Sequence, residues 1–152
     1  MEFKKLNNLF ELYQIQSEKF SNLDFLHSID KNKKVDALKW SDVSKKIEIF
    51  STFLNIQGVK KGDRVMLVSE GRPEWMISDL SILANDAITV PNYTTYTQKD
   101  FEFVLKDADP IGLIVSSEKL LKTILDACSQ INFQFKFIIS FDKIEKVQNF
   151  HE

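Results

Sequence analysis

The stretch from Gly58 to Pro91, GVKKGDRVMLVSEGRPEWMISDLSILANDAITVP, decides the fold, and it reads as strand, helix, strand. Arg64 to Ser69 (RVMLVS) is an apolar run bounded by the turn Lys60, Lys61, Gly62, Asp63. It is too short for an ordinary helix and predicts a buried strand. Pro73 suits the first turn of a helix, where its missing N–H costs nothing, and Glu74 complements the positive helix end. The spacing predicts a helix from about Arg72. Met76, Leu80 and Leu83 recur along it, and Ile77 and Ala84 widen the stripe enough to cover one sheet face. Asn85 and Asp86 tolerate the left-handed backbone that ends a helix. Ala87 to Val90 predicts a second buried strand, closed by Pro91. Two strands joined through one helix by short turns predict a right-handed parallel crossover.

Upstream, Phe3, Leu6, Phe10 and Tyr13, with Leu9 and Leu12 alongside, predict an amphipathic helix ending near Phe20. Asp24 to Ile29 and Val35 to Trp40, separated by the polar turn Asp30, Lys31, Asn32, Lys33, Lys34, predict a β-hairpin. Ser41 is a candidate N-cap for a helix carrying Val43, Ile47, Phe50 and Leu54, with Gly58 at its end. Downstream, Thr97 and Asp100 have capping-box spacing and open a helix with an inward stripe of Phe101, Val104, Leu105 and Ala108, ended by Asp109 and Pro110. Ile111 to Val115 predicts a strand, Ser117 to Ser129 a helix burying Leu121, Ile124, Leu125 and Cys128, and Phe135 to Ser140 a strand. Residues 141–152 carry no pattern and read as an irregular tail. The economical fold is α/β: an N-terminal helix and β-hairpin, then a βαβαβαβ parallel sheet with helices on both faces, in one domain over 1–152.

Composition narrows the partners. Hydrophobic residues make up 43% of the 152, enough for a sizeable core, and 20 basic against 22 acidic side chains give a formal charge of −2. No basic field is present to attract nucleic acid. One cysteine cannot form an internal disulfide, and the N-terminus MEFKKLNNLF lacks a signal-peptide core, so a cytoplasmic location is expected. No run approaches the length of about 20 apolar residues that a membrane helix needs.

Candidate chemistry is thin. Cys128 lies on an apolar helix face and reads as a packed thiol. His27 and His151 are far apart in sequence, which argues against a metal or catalytic pair. Glu70, Gly71, Arg72 offers one glycine where phosphate-cradling loops need several. Glu74 is explained by the helix dipole and Trp75 by packing. Tyr93, Thr94, Thr95 and Tyr96 follow a parallel strand at its carboxyl end, the edge where α/β ligands bind, and are the best candidates for lining a cleft; the alternative is an ordinary hydrogen-bonded loop.

Several motifs in order resemble one family. Leu38 to Val43 (LKWSDV) is similar to the first core motif of the adenylate-forming enzymes, Gly58 to Val65 to their G-V-x-K-G-D-R-V segment, and Arg72 to Trp75 to their R-P-E-W. Leu83 to Pro91 followed by Tyr93, Thr95 and Thr97 resembles their second core motif, with Asp86 where Gly is usual. The resemblance runs over about residues 5–140 and is greatest to long-chain fatty-acid CoA ligases. It implies a parent enzyme that uses ATP, Mg²⁺ and CoA to convert a fatty acid to an acyl adenylate and then a thioester. The family's phosphate loop, catalytic lysine and metal ligands have no counterpart here. The resemblance therefore places no catalytic, cofactor-binding or metal-binding residue on this chain. Two readings follow: the N-terminal part of such a ligase, or a stand-alone binding module with the same fold. The first reading leaves exposed an apolar surface that the rest of the enzyme would cover, so self-association of such a piece is expected.

Overall fold

The structure is a computed structural model describing residues 6, 8–29 and 32–152. Helix α1 spans Leu9–Lys19, strands β1 and β2 span Asp24–Ile29 and Val35–Lys39, and α2 spans Trp40–Ile56. A repeating series follows: β3 (Arg64–Val68), α3 (Pro73–Ala84), β4 (Ile88–Asn92), α4 (Gln98–Ala108), β5 (Gly112–Val115), α5 (Glu118–Ile131) and β6 (Phe137–Ser140). A two-residue strand, β7 (Gln148–Asn149), completes it. β1 and β2 form an antiparallel hairpin, and the other strands make one parallel sheet in the order β4-β3-β5-β6-β7.

Both faces of the sheet are covered. Val65 and Leu67 of β3, with Ile114 and Ile139, face Phe50 and Leu54 of α2 and Ile82 of α3. Met66 and Val68, with Leu113 and Val115, face Phe101 and Leu105 of α4 and Leu121 and Ile124 of α5. A third layer lies outside α2 and α3, where Tyr13 of α1 joins Val43, Ile47, Ile77 and Leu80, flanked by Phe25 and Trp40. The rings of Phe25 and Trp40 stack at 3.8 Å.

Several expectations shift. The capping expectation around Ser41 is corrected: α2 begins at Trp40, with Lys39 as N-cap and the Lys39 N–H donating to the Asp42 carboxylate at 3.3 Å. The acid at the third helical position accepts from the N-cap N–H, the half of a capping box that does not depend on a Ser at the cap. The first helix starts at Leu9 because the Asn8 side chain accepts from the Glu11 N–H at 2.8 Å; Phe3 of the expected stripe, and Asp30 and Lys31 of the hairpin turn, lie outside the described residues. In α3 the buried positions are Ile77, Ser78, Leu80, Ser81 and Ile82, since this helix is packed on two sides and not one. Small serines let it approach α2: the Ser81 hydroxyl donates to the Ile77 carbonyl at 2.7 Å, and the Asn85 amide donates to the Ser51 carbonyl at 3.0 Å. Leu125, expected inside, is 42% exposed, and Leu120 and Ala127 are buried in its place. Pro91 does not close β4 but lies within it, tolerated because β4 is an edge strand.

The tail is the largest difference. Phe141 is 2% exposed, β7 pairs parallel with Ile139 and Ser140, and Phe150 packs on Phe50 at 4.6 Å and on Phe141 at 5.2 Å. Two aromatic anchors nine residues apart are too sparse for any period, so this order arises only against the sheet.

Gly112 opens β5 beneath the ring of Phe137, and a Cβ there would lie 2.0 Å from the ring's Cζ. Because Phe137 is held in the core, Gly112→Ala is expected to cost about 1–3 kcal/mol in urea unfolding. The same change in a Phe137→Ala background should cost much less, and an equal cost in both backgrounds would rule out the ring as its cause.

Candidate functional site

The carboxyl ends of β3, β5 and β6 converge on one edge of the sheet. β3 leads into α3 on one face, while its neighbour β5 leads into α5 on the other. Such a switch of direction opens a crevice between adjacent strands. Here the crevice is laced by backbone bonds: Ser116 N–H to the Val68 carbonyl at 3.0 Å, Asp142 N–H to the Ser116 carbonyl at 3.1 Å, and Phe141 N–H to the Val115 carbonyl at 2.9 Å.

Arg72 occupies this edge. Its Nε and Nη2 donate to the two carboxylate oxygens of Glu74 at 3.0 and 3.2 Å, and its Nη1 donates to Asp142 at 3.1 Å. The guanidinium also lies 5.3 Å from the Phe141 ring centre. From the other side, His151 Nε2 is 3.4 Å from Glu74. Pro73, fixed as the first residue of α3, aims this fork. Burial pushes the Glu74 carboxyl up, but the Arg72 hydrogen bonds, its own backbone N–H and the charges of Arg72 and His151 outweigh it, leaving Glu74 below the usual carboxylate range. Arg72 is lowered by burial and raised more by Glu74 and Asp142. Glu70, on the same loop, is held low first by the Ser116 hydroxyl, although the two do not close a full hydrogen bond and Ser116 Oγ lacks a partner among the described residues. Asp142 was absent from the sequence reading, and His151 was weighed there only as a partner for His27. Their pairing with the Arg72–Glu74 fork spans about 70 positions, and no local spacing encodes it.

The candidates after β4 separate. Tyr93 joins Ser69, Gly71, Trp75, Pro91 and Asn92 around a cleft of ≈ 400 Å³. Tyr96 turns inward, 5.5 Å from Tyr93 and 5.8 Å from Phe101, and Thr94 and Thr95 lie off the cleft lining. Thr97 caps α4, with its N–H and hydroxyl both donating to Asp100, at 2.8 and 2.7 Å. Trp75 therefore serves both the core and the cleft wall. Asp86, where the resembling motif carries Gly, has φ of 54°, the left-handed conformation expected at this helix end.

The β3–α3 loop is not built as a phosphate cradle. The β3–α3 loop carries one glycine, and its arginine is already neutralised by two carboxylates. No group of three His, Cys, Asp or Glu side chains placed to hold a metal occurs among the described residues. His27 stands near Asp24, apart from His151. Cys128 is 5% exposed, and burial pushes its thiol up to about 11.

Comparison with solved structures defines the class. The luciferase-like enzyme of the nonluminescent Zophobas morio mealworm superposes with a TM-score of 0.86 and 21% identity, covering 99% of this chain and 36% of that one. An anthranilate CoA ligase solved with anthranoyl-AMP gives 0.83 and 20%, covering 99% of this chain and 28% of its own. The fold is that of acyl-CoA ligase N-terminal domains. Residues 14–152 match the AMP-binding enzyme family, and the chain belongs to it. The long-chain-fatty-acid–CoA ligase FadD15 of Mycobacterium tuberculosis is 36% identical over 84 residues, 52% of this chain and 14% of its own length. Fatty acyl-CoA synthetase A of Dictyostelium discoideum is 26% identical over 155 aligned positions, 94% of this chain and 22% of its own length. The chain thus spans less than a quarter of these two relatives.

Arg72→Ala is expected to destabilise by about 1–2 kcal/mol, a buried-pair value reduced for partial exposure, with Arg72→Lys recovering only part because it loses the fork. Since Glu74 is depressed, its contribution is complete above the ordinary carboxyl value of 4.5 and disappears as pH falls through the folded value. Glu74→Gln should therefore be less stable at neutral pH and lose less stability on acidification. Equal acid slopes in wild type and variant would contradict this. Cys128 should react with a thiol reagent at mildly alkaline pH only at the rate of unfolding, and fast labelling of the native chain would show the thiol is not packed.

Proposed function

We propose that this chain forms the N-terminal part, over residues 1–152 as one domain, of an ATP-dependent long-chain fatty-acid CoA ligase. The parent enzyme joins a fatty acid to AMP and then passes the acyl group to CoA. The observation that carries this reading is the family match over residues 14–152, together with a fatty acyl-CoA synthetase aligned across 94% of the chain. ATP, Mg²⁺ and CoA are the parent's cofactors. A cytoplasmic setting belongs to the same proposal and rests on the single cysteine.

Within that enzyme these residues supply scaffold and wall. The parallel sheet sets the loops after β3 and β4, and the cleft bounded by Trp75 and Tyr93 is the surface offered to a ligand or to the rest of the enzyme. Tyr93, 71% exposed, has the reach for that role, while Thr94, Thr95 and Tyr96 support it by forming the loop. No reaction step is placed on these side chains, because Arg72 and Glu74 already neutralise each other.

The purified chain should give no fatty-acid-dependent ATP–pyrophosphate exchange and no thioester with CoA. Exchange above the no-acid background would overturn the scaffold role and place catalytic groups within these residues.

A further inference from the structure

Helix α2 has more than one face. Val43, Ile47, Phe50 and Leu54 are buried, and Ile49 and Ile56 form a second, exposed stripe. A third stripe, Ser44, Glu48 and Ser51 at helical spacing, is polar and faces α1, where Gln14, Ser17 and Glu18 line the other wall of a groove of ≈ 410 Å³. The floor of this groove is apolar, with Ile47 and Ala84, and Phe10, stacked 6.1 Å from Tyr13, gives it an aromatic side. Its hydroxyl protons are already committed. Ser17 donates to the Gln14 carbonyl at 2.8 Å, Ser51 to the Glu48 carbonyl at 3.0 Å and Ser44 to the Trp40 carbonyl at 3.0 Å. A hydroxyl has one proton, so across the 2.9 Å contact with Ser44 the donor is Tyr13. Burial pushes the Tyr13 phenol up and the Ser44 bond lowers it less, so Tyr13 keeps that proton. The groove therefore presents lone pairs, from four hydroxyl oxygens and from the carboxylates of Glu18 on one helix and Glu48 on the other. Neither carboxylate is held in an ion pair among the described residues. No lysine or arginine lines the groove among those residues, and the Gln14 amide is its one side-chain donor not already committed.

We propose that this groove binds an organic ammonium ion, a linear alkylamine lying along the seam between α1 and α2. An ammonium group donates three hydrogen bonds and accepts none, which complements a lining of acceptors. Two carboxylates repel an anion, and an uncharged alcohol of the same length draws nothing from them. A bare metal ion fits less well, since no group of three His, Cys, Asp or Glu side chains placed to hold one occurs among the described residues and the floor of Ile47 and Ala84 offers it no ligand. An alkylamine uses both parts of the groove: its methylenes lie on that floor, while its charged end meets a carboxylate and the Phe10 ring. The groove belongs to the outer layer of α1, α2 and α3 and shares no lining residue with the Trp75–Tyr93 cleft. The inference is independent of the ligase reading, because its readout is amine binding and not activity.

Titrating cadaverine, a five-carbon diamine, into the isotope-labelled chain at constant ionic strength should move the backbone amide resonances of residues 13–18 and 44–51 and saturate. Pentanediol of the same chain length, which carries no charge, should leave them in place, a readout that needs no variant. Glu18→Gln and Glu48→Gln should each weaken cadaverine binding about two- to fivefold, the scale of an exposed charge pair, and together about tenfold. Asp107→Asn, which removes an exposed negative charge from α4 on the other face of the sheet, should leave the affinity unchanged. Resonances that do not respond or never saturate, an equal response to the diol, an affinity indifferent to both glutamine variants, or an equal loss in Asp107→Asn would each overturn the site.

Discussion

The structure depends on β3. Its backbone is paired on both sides, with β4 and with β5, and residues 65–68 are fully buried. Side chains alternate between two cores that do not mix: Val65 and Leu67 on one face, Met66 and Val68 on the other. A strand under that double constraint accepts only apolar residues, and its neighbours must be parallel with helices above and below. The three-layer stack of α1 and hairpin, α2 and α3, and sheet is built on one face of it, with α4 and α5 on the other.

Arg72 adds the second constraint. A single guanidinium joins the loop leaving β3, the first turn of α3 and the end of β6, and Glu74 passes the connection to His151. The end of the chain is thereby tied to the start of a helix far away in sequence. A crevice at a sheet's switch point is normally open to ligand. Here it is closed by protein charges, and the candidate cleft lies toward β4, where Trp75 and Tyr93 share the lining with Gly71 and Pro91.

Legibility followed the range of the interaction. Thr97 and Asp100, Asp86 at the end of α3 and the parallel order of the strands were readable because each depends on residues within a few positions or on a sustained period. That Tyr93 to Tyr96 follow β4 as a loop was readable, yet which of its side chains faces outward was not. Tyr93 and Tyr96 are equivalent on paper, and only the packing of Phe101 beneath the loop turns Tyr96 inward. Glu74 was explained by the helix dipole alone; its two partners besides the helix are Arg72, two positions before it, and His151, in a tail without pattern.

The sequence by itself determined the alternation of strands and helices, the hairpin, the packed cysteine and the family resemblance, because apolar periodicity and capping are local. Tertiary structure alone decided that Phe141 and Phe150 anchor the tail, that α3 is buried on two sides, and that α2 keeps a second stripe uncovered. The physical reason is that period reveals which residues are apolar, while the arrangement of the other elements decides which of those residues find a partner.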